Sequence, residues 1–69
     1  MDGLTRMEIA VVNELKRGMQ NKMIASRLGI MESTVKVHLR NVARKLNASS
    51  RSHIALWAHE QADRSNRPG

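Results

Sequence analysis

The protein has 69 residues, of which 41% are apolar and 26% charged, with a single aromatic residue and no cysteine. A chain of this length forms one small domain, and without cysteine it folds without disulfides, iron–sulfur clusters or cysteine-based zinc sites; we expect no metal and no cofactor. Twelve Lys and Arg against six Asp and Glu leave a net charge of +6, which favours a polyanionic partner, nucleic acid first and an acidic membrane surface second.

No segment is predicted to cross or enter a membrane. The apolar run from Ile54 to Ala58 is far shorter than the ~20 residues that span a bilayer, and no signal-peptide segment is evident. We therefore expect a soluble, cytoplasmic protein with no membrane partner and no small-molecule ligand in this domain.

The first predicted helix, about 6–17, opens with a capping box. The Thr5 hydroxyl would accept a hydrogen bond from the backbone of Glu8, and the Glu8 carboxylate would accept one from the Thr5 amide. Gly18 stands where a left-handed residue would end this helix.

Two further helices, about 21–28 and 32–46, are predicted on either side of a tight turn at Gly29. The later helix is the more regular, because its apolar residues step by four, three and four along one stripe: Val35, Leu39, Val42 and Leu46. Asn47 tolerates left-handed geometry and is expected to end it.

A fourth helix, about 50–61, is predicted to follow a cap at Ser49 or Ser50. Apolar residues point nearly all the way round it, so one face needs a second partner. Trp57 is expected to be partly buried in the core while the helix also pairs.

The predicted fold is all-α, a compact four-helix domain over residues 1–62 that contains a helix-turn-helix at about 20–41. After Ala62 the composition becomes polar, and we expect a flexible tail over 63–69.

The positive charge is concentrated in the second and third helices. Residues 19–48 carry six basic residues and one acid, a net charge of +5. Lys36, Arg40 and Arg44 recur every four residues opposite the apolar stripe. Such a run is often only a solvated face. However, a short helix, a glycine turn and a second helix with a basic face are typical of a helix-turn-helix that binds DNA.

Several motifs lie at fixed spacing along residues 4–61: Leu4-Thr5, Glu8, Asn21-Lys22-Met23-Ile24-Ala25, Leu28, Glu32 to Leu39, Lys45-Leu46 and Arg51. This pattern closely resembles the LuxR/NarL-type (GerE-like) DNA-binding domain, and Thr34 to His38 is most like the NarL branch. The resemblance implies a bacterial transcriptional regulator whose third helix reads DNA. In that family the domain usually ends a longer protein, behind a receiver or signal-binding domain. We therefore expect either the excised effector domain of a two-component response regulator or a stand-alone regulator.

The resemblance also implies which residues read bases, namely Lys36, Val37 and Arg40. Lys36 or Arg40 can donate to guanine O6 and N7, and the Val37 methyls can pack on a thymine methyl. Other side chains are better suited to phosphate, which fixes register without reading sequence: Asn21, Lys22, Ser33, Thr34, His38, Arg44 and Lys45. For Arg44 and Lys45, solvated charge near a helix C-terminus is an equal alternative.

The fourth helix of such domains can pair with a second copy across a two-fold axis. The expected interface comprises Ser50, His53, Ile54, Trp57 and Gln61. The partners expected are therefore inverted-repeat double-stranded DNA and a second copy, and the small interface predicts that the homodimer forms on DNA.

Two rival functions would also fit a small basic domain. The chain lacks the His-Glu-x-x-His, glycine-rich phosphate-loop and nucleophile-elbow motifs, so we expect no enzyme activity. The more serious alternative is an interaction module that pairs with a larger LuxR-type protein and modulates its DNA binding. The sequence also departs from the family at Met31, where Ser or Thr normally caps the recognition helix.

Overall fold

Four helices form the part of the chain that the structure describes. In the computed structural model the backbone is described for residues 3–66 and the side chains for residues 3–61. Within this range there is no strand, and the helices are α1 (Arg6–Lys16), α2 (Asn21–Leu28), α3 (Glu32–Leu46) and α4 (Arg51–Asn66). The predicted all-α fold class is confirmed.

The first turn of α1 is closed by the predicted capping box. The Thr5 amide donates to Glu8 Oε1 at 2.9 Å, and the Glu8 amide donates to Thr5 Oγ1 at 3.1 Å. Two backbone donors that a helix start would otherwise leave unpaired are therefore satisfied, and α1 has a defined first residue.

The predicted tight turn between α2 and α3 depends on a left-handed residue. Gly29 has φ 67° and ψ 34°, and the amide of Ile30 donates back to the Ala25 carbonyl at 3.0 Å. Glycine adopts this geometry without a Cβ clash, which lets the chain pass from α2 to α3 through only three residues, 29–31. Asn47, at φ 53°, ends α3 in the same way, and the Ala48 amide donates to Ala43 at 2.8 Å.

The start of α3 lacks a side-chain cap. Met31 occupies the N-cap position with no side-chain hydrogen bond, and the amides of Thr34 and Val35 donate to its backbone carbonyl. Because the Met31 side chain has no hydrogen-bond acceptor, α3 begins without the side-chain cap that Ser or Thr would provide.

The core is aliphatic and receives side chains from all four helices. The predicted α3 stripe faces it: Val35 and Val42 are fully buried, while Leu39 and Leu46 pack at its edge. Trp57 is partly buried against it, as expected. The buried apolar side chains are Val11, Val12, Leu15, Ile24, Ala25, Val35, Val42, Ile54 and Ala58.

The last helix is longer than predicted. It begins after Ser50, whose Oγ accepts from the His53 amide at 3.1 Å, but it ends at Asn66 and not at Gln61. The sequence between 62 and 66 contains no proline or glycine, so nothing in it stops a helix before Pro68. Residues 63–66 of the predicted tail are therefore helical, and 67–69 lie outside the described residues.

No helix among the described residues is long and apolar enough to cross a membrane.

Candidate nucleic-acid interface

The three predicted base-reading residues lie together on the exposed side of α3. Lys36, Val37 and Arg40 are all exposed, and Val37 is 45% exposed although it is apolar. Positions 36, 37 and 40 share one helical face, opposite the buried Val35 and Val42. An exposed aliphatic side chain between two cations gives this face both hydrogen-bond donors and an apolar contact point.

The residues predicted to contact phosphate fall into two groups on α3. Ser33 and Arg44 are exposed and extend the face of Lys36 and Arg40 toward the two ends of the helix. Thr34 and His38 are partly buried at its flank. His38 lies near the Glu8 carboxylate of α1.

Lys45 is held by a partner that the sequence did not indicate. Its Nζ donates to Glu8 Oε1 at 2.7 Å, and the Glu8 side chain is only 3% exposed. The pKa of Glu8 is lowered chiefly by this hydrogen bond and then by that of the Thr5 amide, which together outweigh the opposing effect of burial. Lys45 therefore fastens the C-terminal end of α3 to α1. Lys45 is thus not a charge that only water solvates. A phosphate contact stays a prediction for the other two N–H groups of its ammonium.

The N-terminus of α2 carries the other two predicted phosphate contacts. Lys22 is exposed, whereas Asn21 is partly buried. The Oδ1 atom of Asn21 accepts from Arg51 Nη1 at 2.6 Å, and Arg51 Nη2 donates to the Met19 carbonyl at 2.8 Å. Arg51 thus joins the first residue of α4 to the turn before α2. Sequence analysis assigned Arg51 no role, because the 30 positions that separate it from Asn21 leave no local signal.

A groove separates the exposed face of α3 from the start of α4. It brings Lys36, Arg40 and Arg51 to one concave surface, although they come from two helices. A cationic groove of this kind can accept a polyanionic strand. Its lining comprises Lys36, Leu39, Arg40, Ala43, Ala48, Ser49, Ser50, Arg51 and Ile54.

The predicted dimer residues on α4 do not form one exposed stripe. Ile54 is 3% exposed and belongs to the core, so it offers almost no surface to an interface, and its place in the dimer interface stays a prediction. Ser50 and His53 are exposed at the start of α4, and His53 Nδ1 accepts from the Ser49 amide at 3.3 Å. Trp57 and Gln61 are partly buried.

Sequence analysis missed Leu56, the large apolar residue that α4 exposes most, at 57%. Five consecutive apolar residues on α4 gave no periodicity from which to decide that Ile54 faces inward and Leu56 outward. Over residues 51–61, whose side chains are described, the outer face of α4 that includes His53 and Leu56 exposes a large apolar side chain.

A short helix, a left-handed turn and a second helix with an exposed basic face define a helix-turn-helix DNA-binding domain. The sequence profile of the GerE family, bacterial regulatory proteins of the luxR family, matches residues 2–58. The chain belongs to this family, which confirms the resemblance stated above and its class, a DNA-binding domain involved in transcription regulation.

Its relatives include nitrate/nitrite response regulators. NarP of Escherichia coli K12 is 58% identical over 48 residues, which cover 70% of this chain and 22% of NarP. NarL of the same strain is 43% identical over 58 residues, 84% of this chain and 27% of NarL. A Haemophilus influenzae homologue of these regulators is 46% identical over 61 residues, 88% of this chain and 29% of the relative. The chain thus spans between a fifth and a third of the length of these curated relatives.

Proposed function

We propose that this domain binds double-stranded DNA sequence-specifically, with α3 in the major groove. The observation that carries the proposal is the shared exposure of Lys36, Val37 and Arg40 on α3. None of the three side chains makes a hydrogen bond or ion pair to another described residue, so they are available to a ligand. Two cations beside an aliphatic group match a groove edge that presents guanine acceptors and a thymine methyl.

The surrounding residues supply backbone contacts that fix the register. Ser33 and Arg44 extend the same face, and Lys22 and Asn21 stand at the N-terminus of α2, where helix amides also favour an anion. Thr34, His38 and the remaining donors of Lys45 line its flank. Contacts to bases would set the preferred sequence, whereas these contacts would add affinity for any duplex.

Two copies would bind an inverted repeat, paired through the outer face of α4. Exposed Leu56, with His53 beside it and Trp57 at the edge, is the apolar centre of the proposed interface, and Ile54 contributes only from within the core. One helix face is small for a stable dimer, so pairing would depend on the two half-sites holding the copies together.

The relatives support a proposal for the biological setting. As in those response regulators, the domain would serve as the effector part of a transcription factor, acting on DNA in the bacterial cytoplasm. A stand-alone regulator would use the same surface.

Selection of binding sites from random DNA, followed by gel-shift titration on the selected duplex, tests the proposal. The wild-type chain should prefer the selected duplex to random DNA, and Arg40→Ala should lose most of that preference. Binding no tighter than that of an unrelated protein of similar charge would contradict direct recognition. If the chain then still paired with a full-length LuxR-type protein and reduced its DNA binding, the interaction-module alternative would replace it.

A further inference from the structure

We infer that Arg51 is a positioning residue for DNA binding, which acts by orienting the Asn21 side chain toward phosphate. The inference rests on the proposed function and deepens it, because it assigns a role to a residue on α4 outside the helix-turn-helix.

The contact between the two side chains fixes which way the Asn21 amide points. A guanidinium offers only donors, so the atom of Asn21 that lies 2.6 Å from Arg51 Nη1 is the acceptor Oδ1. The Nδ2 group must then point away from Arg51. Without this partner, rotation about the Cβ–Cγ bond could exchange the positions of Oδ1 and Nδ2.

The second hydrogen bond of Arg51 makes the arrangement rigid. Nη2 donates to the Met19 carbonyl at 2.8 Å, just before α2 begins, so the planar guanidinium is held at two points. Its position is therefore set by the backbone of the α1–α2 turn. Because Arg51 is also the first residue of α4, this link ties the start of α4 to the start of α2.

The Nδ2 group, which points away from Arg51, has the polarity that phosphate requires. Phosphate oxygens only accept hydrogen bonds, so an outward Nδ2 can bind one and an outward Oδ1 would be repelled. Arg51 thus selects the binding-competent rotamer of Asn21 before DNA arrives, which reduces the ordering cost of the contact.

A double-mutant cycle on the full chain separates this role from direct contact by Arg51. Arg51→Gln should weaken binding to selected and random duplexes alike, by about 3–10-fold, because it impairs a phosphate contact and no base contact. In the Asn21→Ala background the same substitution should cost no more than Arg17→Gln, which removes an equal charge from an exposed position at the end of α1. Arg44→Gln, a proposed independent phosphate contact, should keep its full effect in that background.

Asn21→Asp provides a test that leaves Arg51 in place. Asp retains an acceptor for Arg51, so the melting temperature should not fall, but its outward oxygen would face phosphate and lower affinity further than Asn21→Ala does. ¹⁵N relaxation of the Asn21 side-chain amide should show a more restricted Nδ2 group in the wild-type chain than in Arg51→Gln.

An Arg51→Gln effect that persists in full without the Asn21 side chain would overturn the inference and leave the proposed function standing. Loss of duplex binding by the wild-type chain itself would overturn both. Equal affinity of Asn21→Asp and wild-type chain would also refute the positioning role.

Discussion

Basic side chains occupy two kinds of region in this domain. Arg27, Lys45 and Arg51 lie at the seams between helices, where each is hydrogen-bonded to another element. Lys36, Arg40 and Arg44 lie on the outer face of α3, where none of their side chains makes a hydrogen bond or ion pair to another described residue. Residue type therefore does not separate structural from functional charge in this chain. What separates them is whether a partner is provided within the domain.

The largest expected effect comes from removing an ion pair between two helices. Lys45→Met would leave the buried Glu8 carboxylate without its ion-pair partner, and we expect a loss of about 2–3 kcal/mol in the free energy of unfolding. Chemical denaturation would measure it. Arg27→Met is the matched control, because the Arg27–Glu14 pair at 2.7 Å is more exposed and should cost at most ~1 kcal/mol. Equal losses in the two variants would show that burial of Glu8 has no special weight.

The outer face of α3 should respond in binding and not in stability. Lys36→Ala and Arg40→Ala should each cost ~1–3 kcal/mol on the selected duplex and relax the preference at one base pair, with unchanged melting temperature. Lys22→Ala should instead weaken binding to all duplexes and reduce the salt slope by about one. Titrations at several salt concentrations would distinguish the two patterns. The proposed division between base and phosphate contacts would be wrong if all three variants lost affinity equally on selected and random DNA.

The outer face of α4 should affect DNA binding only when two copies bind side by side. Leu56→Asp should reduce binding to a two-half-site duplex by about 1–2 kcal/mol, through loss of apolar burial between copies, and leave binding to a single half-site unchanged. Ser52→Asp changes an exposed residue one turn earlier on the same side of α4. It should also weaken binding to the two-half-site duplex if the effect belongs to this side of the helix. A loss of the same size on the single half-site would place the effect in folding or in DNA contact.

The missing cap of α3 predicts that a substitution at Met31 can make the domain more stable. Met31→Thr supplies a hydroxyl acceptor for the first-turn amides and should raise the free energy of unfolding by ~1 kcal/mol, without weakening DNA binding. Met31→Ala, which also lacks an acceptor, is the control. A melting temperature unchanged or lowered by Thr would count against it.

Acidification should weaken the Glu8–Lys45 ion pair between α1 and α3 and thereby lower the stability of the domain. The folded-state pKa of Glu8 lies below its ordinary value of 4.5, so its contribution to stability is complete above that pH. As the pH falls from about 4.5 through the lowered pKa, protonation of Glu8 removes this contribution. Glu8→Gln should therefore be less stable than the wild-type chain at neutral pH and should lose less stability on acidification. Parallel unfolding curves for the two chains across this range would contradict the assignment.

Much of the fold was predictable because its signals act over a few residues. The Thr5–Glu8 box, the glycine turn at Gly29 and the stop at Asn47 each involve backbone groups within one helical turn. The α3 stripe likewise follows from helical periodicity alone. The α4 prediction is poorer, because consecutive apolar residues carry no periodicity. Ile54 is expected at an interface but is buried, Leu56 is exposed without having been expected to be, and the helix ends five residues later than predicted.

The candidate site shows the same limit. Exposure of Lys36, Val37 and Arg40 follows from their position opposite the stripe, whereas the roles of Lys45 and Arg51 do not. Lys45 meets Glu8 across 37 positions and Arg51 meets Asn21 across 30.

Local sequence was therefore sufficient for the four helices, the turn between α2 and α3 and the basic face that a DNA-binding domain of this family would present. Tertiary packing decided which cations are held within the domain and which are left for a ligand, and which side of α4 faces the core. The physical reason is that caps, turns and periodicity depend on neighbours along the chain, while ion pairs and burial depend on residues that only the folded chain brings together.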